Sequence, residues 1–170
     1  MSIARYRLLN TVLLVALFAG SAWAYPRLPG RIPMHFDLAG RPDAWAGRSI
    51  FSWFMLPTVA ALLAGFMRWI SGVGARNPHT WNLPEKRRFL AMSPQARAPI
   101  VARMQEFLAL VGVLVTALMG AIQVAVYQAA TGTGMEPAWM LGAIGLFLLV
   151  ITVAGVRLNA SVGRMIRDAS

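Results

Sequence analysis

Residues Phe107 to Tyr127 read FLALVGVLVTALMGAIQVAVY, 21 positions without a charged side chain. A hydrocarbon core of about 30 Å takes roughly 20 such residues as an α-helix, so this stretch by itself predicts a membrane span. Its polar content is confined to Thr116 and Gln123. Gly112, Thr116 and Gly120 recur every four residues and put small side chains on one helix face, where a second backbone can approach closely. The neighbour is another helix of the same bundle or a second copy of the chain.

Three further apolar stretches flank this one: Leu8 to Ala24, Ile50 to Ile70 and Pro137 to Val156. The first is short, and the second contains Pro57 and ends near Arg68, whose long side chain can snorkel to the interface. With 58% hydrophobic and 13% charged residues and a mean hydropathy of +0.59, the composition lies outside the soluble globular range. The expected fold is an all-α integral membrane protein, one domain over residues 1–170. It has four transmembrane helices and a short exported hairpin-like loop between the first two. Trp53, Trp69, Tyr127 and Trp139 sit near the ends of the spans, as interfacial anchors do.

The formal charge of +10 flanks the apolar runs, a placement that argues for a lipid surface over nucleic acid. Arg5 and Arg7 precede the first span, and Arg76, Lys86, Arg87, Arg88, Arg97 and Arg103 crowd the loop 71–106. Arg157, Arg164 and Arg167 follow the last span. The positive-inside rule therefore predicts a multi-pass inner-membrane protein with both termini cytoplasmic. Arg27, Arg31, Arg41 and Arg48 would then be exported in the loop 25–49 and need partners there. The N-terminus also carries signal-peptide features, with Ala22-Trp23-Ala24 as a small-x-small site.

Within the exported loop, Ile32, Met34, Phe36 and Leu38 alternate with Arg31, Pro33, His35 and Asp37. Period two predicts a strand, and Ala39-Gly40-Arg41-Pro42-Asp43 supplies a turn before a return through Trp45. Pro33 cannot donate to a ladder, so the strand belongs at an edge. The apolar face would cap the bundle or rest on the membrane, leaving His35 and Asp37 side by side. The candidate binding residues are Pro33, His35, Phe36, Asp37, Gly40, Asp43, Trp45 and Arg48. His35, Asp37 and Asp43 are of metal-ligating type, the basis for a metal-dependent envelope enzyme as an alternative. The competing reading ties the Asp and His groups to Arg31, Arg41 or Arg48.

In the basic loop, Pro78, Pro84, Pro94 and Pro99 are expected to break any long helix. Ser93-Pro94 has the form of a cap for a helix running into the third span. Lys86, Arg87 and Arg88 face anionic headgroups or a cytoplasmic protein partner. Cysteine is absent, which excludes disulfides and thiolate chemistry. No phosphate loop, His-Glu-x-x-His or Gly-x-Ser-x-Gly occurs, so nothing calls for a cofactor. His35 and His79 fall on opposite faces of the membrane and cannot share a site. The residues point to binding rather than catalysis, with a small transporter or accessory subunit built around Pro57, Thr116 and Gln123 as the alternative.

Leu28, Pro29, Ile32, Pro33, His35, Phe36, Gly40, Asp43, Trp45 and Arg48, placed just after a first apolar helix, resemble the signature of a bacterial membrane family, domain of unknown function 1648. Its best-known architecture is the SdpI type of toxin-immunity protein, which is longer and has additional helices. The likeness covers about Leu8 to Arg48, with Asn82-Leu83-Pro84 similar to a segment that often follows. The resemblance implies a retained first helix and, as a functional expectation, protection of the membrane against a secreted peptide toxin or signalling of its presence. The exported hairpin would meet the peptide and the basic loop a cytoplasmic regulator.

Overall fold

The computed structural model describes residues 2–37, 39–133 and 137–169. The chain forms α1 (Ile3–Ala24), β1 (Arg31–Phe36), β2 (Pro42–Gly47), α2 (Ile50–Arg76), α3 (Lys86–Ala91), α4 (Pro94–Thr131) and α5 (Pro137–Asp168), with short 3-10 turns at Tyr25–Arg27 and Pro78–Thr80. All but α3 among the helices are long and apolar enough to cross a membrane. Leu8, Val15, Phe51, Leu62, Phe66, Leu146, Leu149 and Val156 point outward from them. A band of that kind is suited to lipid.

The helix α4 is the axis of the bundle, packing against α1, α2 and α5. It is longer than its apolar segment because Ser93 caps it, the hydroxyl accepting from Ala96 N–H at 3.2 Å, while Pro94 occupies the first turn, where a missing N–H costs nothing. Pro99, expected to break the helix, lies within it. So close to the helix start it removes one bond from a turn that water or headgroups can solvate. α5 likewise continues past Val156 to Asp168.

At the hairpin end, Ala24, Leu28, Ile32, Trp53 and Val126 form a buried cluster, backed by Tyr25, Phe36, Phe54 and Tyr127. Trp53, read as an interfacial anchor, is 2% exposed and belongs to this core. Its indole N–H donates to the Ser21 carbonyl of α1 at 2.8 Å, and its own carbonyl accepts from Gln123 Nε2 of α4 at 3.1 Å. The second bond has a cause in the sequence. Pro57 sits four residues after Trp53 and has no N–H, so the Trp53 carbonyl lacks its helical donor, and Gln123 supplies one from across the bundle.

At the other end a second core forms from Trp81, Leu83, Phe89, Ile100, Val162 and Ile166. The proline-rich connection between α2 and α4 therefore packs against the helices. Trp81 Nε1 donates to the Gly74 carbonyl at 2.8 Å, one of the orphan carbonyls at the end of α2. A Cβ on Gly74 would lie 2.2 Å from the Trp81 ring, so glycine is what admits the indole. Glu85, in the left-handed region at φ 53°, accepts from Arg88 at 2.8 Å and from Arg167 of α5 at 3.3 Å.

Candidate functional site at the hairpin end

The hairpin is antiparallel, pairing Arg31 with Gly47, Ile32 with Ala46 and Pro33 with Trp45. Register shifts then fall between Pro33 and His35 and between His35 and Phe36. These irregularities overturn the strict alternation read from the sequence. Ile32 and Pro33 are both buried although their pairing is regular, and Met34, inside the first shift, turns outward, as a bulge sends successive side chains to unexpected faces. Leu38, the last member of the apolar series, lies outside the described residues. The apolar face caps the bundle, with Ile32 and Phe36 set in the core around Trp53.

Five of the eight candidate residues hold the hairpin in place. Pro33 is buried and Phe36 packs on the core. Asp37 closes the turn: its Oδ1 accepts from Arg41 N–H at 2.8 Å and its Oδ2 from Arg41 Nε at 3.1 Å. The Arg41 backbone N–H, followed by its guanidinium, holds the Asp37 carboxyl below the ordinary value of 3.8. Gly40 takes φ +73°, a conformation open to glycine. Arg48 Nη1 donates to the Leu28 carbonyl at 2.7 Å, with its guanidinium 5.7 Å from the Tyr25 ring centre.

The other three, His35, Asp43 and Trp45, face outward. His35 Nδ1 lies 2.6 Å from Asp43 Oδ1, and both side chains are substantially exposed. The imidazole neighbour is thus Asp43 and not Asp37, since the register shift at His35 brings it across to the return strand. Trp45 is 42% exposed. Asp37, Asp43 and His35 are divided between two separate pairs, and among the described residues no three His, Asp or Glu groups gather around a metal-sized space. The carboxylate-oriented imidazole offers hydrogen bonding through Nε2, and the open indole of the return strand an apolar plane.

Three of the four arginines in the loop 25–49 find partners without an acidic cluster. Arg41 pairs with Asp37, and Arg48 with a backbone carbonyl. Arg27 donates to the Trp23 carbonyl and stacks over the Trp23 ring at 4.0 Å.

Beneath the hairpin lies a feature the sequence reading missed. A groove of about 480 Å³ opens between α1 and α4, lined by Leu13, Ser21, Trp23, Thr116, Gly120 and Tyr127 among others. Ser21 and Thr116 are 2% exposed, yet their hydroxyl oxygens accept no hydrogen bond from and donate none to the described residues. Gly120 has open space where a Cβ would stand. The small-residue face of α4 is therefore split. Gly112 and Thr116 are buried in the bundle, Gly112 with Asn10 3.4 Å from its Cβ position, while Gly120 forms part of the groove wall. Ala24, Trp53 and Tyr127 line the groove and also carry the hairpin.

Residues 12–61 match the family described as Domain of unknown function (DUF1648). Over this segment the chain is similar to that family. The DUF1648 segment takes in most of α1, the whole hairpin and α2 as far as Ala61, which is the unit that the Trp53 to Ser21 bond fastens together. The Ala22-Trp23-Ala24 stretch, read as a cleavage signature, is helical here and ends in a buried Ala24. No curated protein and no solved structure matches the chain.

A second cavity of about 140 Å³ lies further along α1, α2 and α4 toward their basic end, lined by Arg7, Asn10, Thr11, Arg68, Ser71 and apolar neighbours. Asn10 Oδ1 and Ser71 Oγ make no hydrogen bond to the described residues. At about 30 Å³ per water the space admits a few water molecules.

Proposed function

We propose that this chain acts by binding, as a sensing or toxin-immunity-type protein of a bacterial cytoplasmic membrane, with the hairpin end exported and both termini cytoplasmic. One observation supports the reading above the others: Ala24, Trp53 and Tyr127 are shared by the groove and by the core under the hairpin. An apolar segment of a membrane-active peptide entering the groove touches the residues that position His35, Asp43 and Trp45. A volume of about 480 Å³ is within the roughly 300–1,000 Å³ of ordinary ligand sites. Binding at one surface is thereby felt at the other. In this reading Lys86, Arg87 and Arg88 form the cytoplasmic face that meets headgroups or a regulator.

The test is growth of a deletion strain across a panel of membrane-active peptides, complemented with the normal gene, His35→Ala, Trp45→Ala or Gly120→Leu. The last fills the groove at a position with open space. Protection by the normal gene, lost in all three variants at equal membrane abundance, is the expected result. Full protection by Gly120→Leu would remove the groove from the account. A second reading, transport, draws on the polar cavity around Asn10 and Ser71, which begins about one helical turn along α4 from the groove. Uptake that depends on Asn10 and Ser71, with no peptide sensitivity in the deletion strain, would favour it.

A further inference from the structure

At the basic end, α5 places Arg157, Ser161 and Arg164 at positions i, i+4 and i+7, one above another on a single helix face. Arg103 of α4 and Tyr6 of α1 face them across a cleft of about 540 Å³. Glu106, also in the wall, bonds Arg103 at 3.3 Å. Arg157 and Arg164 have no ion pair among the described residues. The cleft therefore presents two exposed cations with a hydroxyl between them.

This cleft does not end at the charges. Ala154 and Arg157 also line a neighbouring apolar depression with Leu149, Val150 and Val153. Val150 in turn continues it to a third, between Leu114, Ala117, Leu118 and Ala121 of α4 and Ala143, Leu146 and Phe147 of α5. Shared wall residues link the three along α5, and α4 forms the other wall of the first and the third. From Arg157 to Ala143 they follow α5 for about 21 Å at 1.5 Å per residue, more than the roughly 15 Å of one leaflet's hydrocarbon. A basic head and an apolar tail of leaflet length are the two ends of a phospholipid.

We propose that the α4 and α5 seam is a binding site for an anionic phospholipid, its phosphate held by Arg157 and Arg164 and one acyl chain lying against Val150 and Leu118. α5 packs chiefly on α4 in this part of the bundle, so the lipid fills a space that protein leaves open on its outer side. The proposal is independent of the hairpin reading, since its charged head lies at the opposite end of the molecule and its apolar part on the α5 side of α4.

The experiment is native mass spectrometry of the full chain released from vesicles of phosphatidylcholine containing one-fifth phosphatidylglycerol. At about 1 kcal/mol for each interfacial arginine, the two together raise the ratio of retained phosphatidylglycerol to phosphatidylcholine roughly thirtyfold over the bulk ratio. Arg157→Gln with Arg164→Gln should bring retention back to the bulk ratio, while Lys86→Gln with Arg87→Gln should leave it enriched. Equal loss in both pairs would reduce the effect to general surface charge and overturn the site. Displacement of the lipid by inorganic phosphate would also overturn it, by making the cleft a site for the free anion.

Discussion

The bond from Gln123 to the Trp53 carbonyl exists, on the reasoning above, because Pro57 withholds the helical donor. This makes a quantitative prediction about three residues on two helices. Gln123→Met keeps an unbranched chain of similar length but removes the N–H, stranding a buried carbonyl 3.1 Å away. An unsatisfied buried group costs about 1–3 kcal/mol in soluble proteins, while interhelical bonds in membranes average about 0.6 and reach about 1.7 kcal/mol. The expected cost is therefore about 1–2 kcal/mol. In a Pro57→Ala background the residue-57 N–H returns to the Trp53 carbonyl, so Gln123→Met should cost less than about 0.5 kcal/mol there. The single effect of Pro57→Ala mixes helix propensity with lost packing, since Pro57 is buried, but the cycle cancels both. Unfolding from mixed micelles by increasing dodecyl sulfate, followed by far-ultraviolet circular dichroism, measures all four proteins. Equal costs of Gln123→Met in both backgrounds would refute the proline argument.

Gly74→Ala should destabilise by about 1–3 kcal/mol through overpacking, despite alanine's helix propensity advantage of about 1 kcal/mol, because its Cβ meets the Trp81 ring at 2.2 Å. Gly145→Ala, with open space around it, should be neutral or stabilising in the same micelle titration. The Asp37 carboxyl, lowered below 3.8, contributes its turn stability above that value and loses it as pH falls through the lowered one. Carbon NMR of the Asp37 carboxyl should show the lowering, and most of it should persist in Arg41→Gln, because the backbone N–H is the largest cause. A full return to 3.8 in that variant would shift the credit to the guanidinium.

The four long helices were legible because a span is a local property: length and hydropathy along about 20 residues decide it. The hairpin was legible for the same reason, through period two from Arg31 and turn residues after Asp37. Its details were not. Alternation assigns faces only while the register holds, and the shifts around His35 exchanged its partner from Asp37 to Asp43. Trp81, Leu83 and Phe89 carry no period, and Pro84 separates the first two from the third, so their burial follows only from where α4 and α5 bring Ile100 and Ile166. The groove was the least legible feature. Its walls come from α1 and α4, far apart in sequence, and it depends on which helices fail to fill the space at Gly120. The signal available was small: Ser21 and Thr116 are hydroxyls inside apolar helices.

The central claim is that hairpin and groove form one recognition site. Fluorine NMR of protein labelled with 5-fluorotryptophan tests it directly, since the six tryptophans divide between the two ends of the bundle. Each resonance is assigned by single replacement with phenylalanine, and the membrane-active peptide selected by the growth panel is titrated into proteoliposomes. The account predicts that Trp23, Trp45 and Trp53 shift together at the hairpin end, that Trp69 and Trp81 stay still, and that Gly120→Leu suppresses the shifts. Movement confined to Trp69 and Trp81, or unchanged shifts in Gly120→Leu, would contradict it.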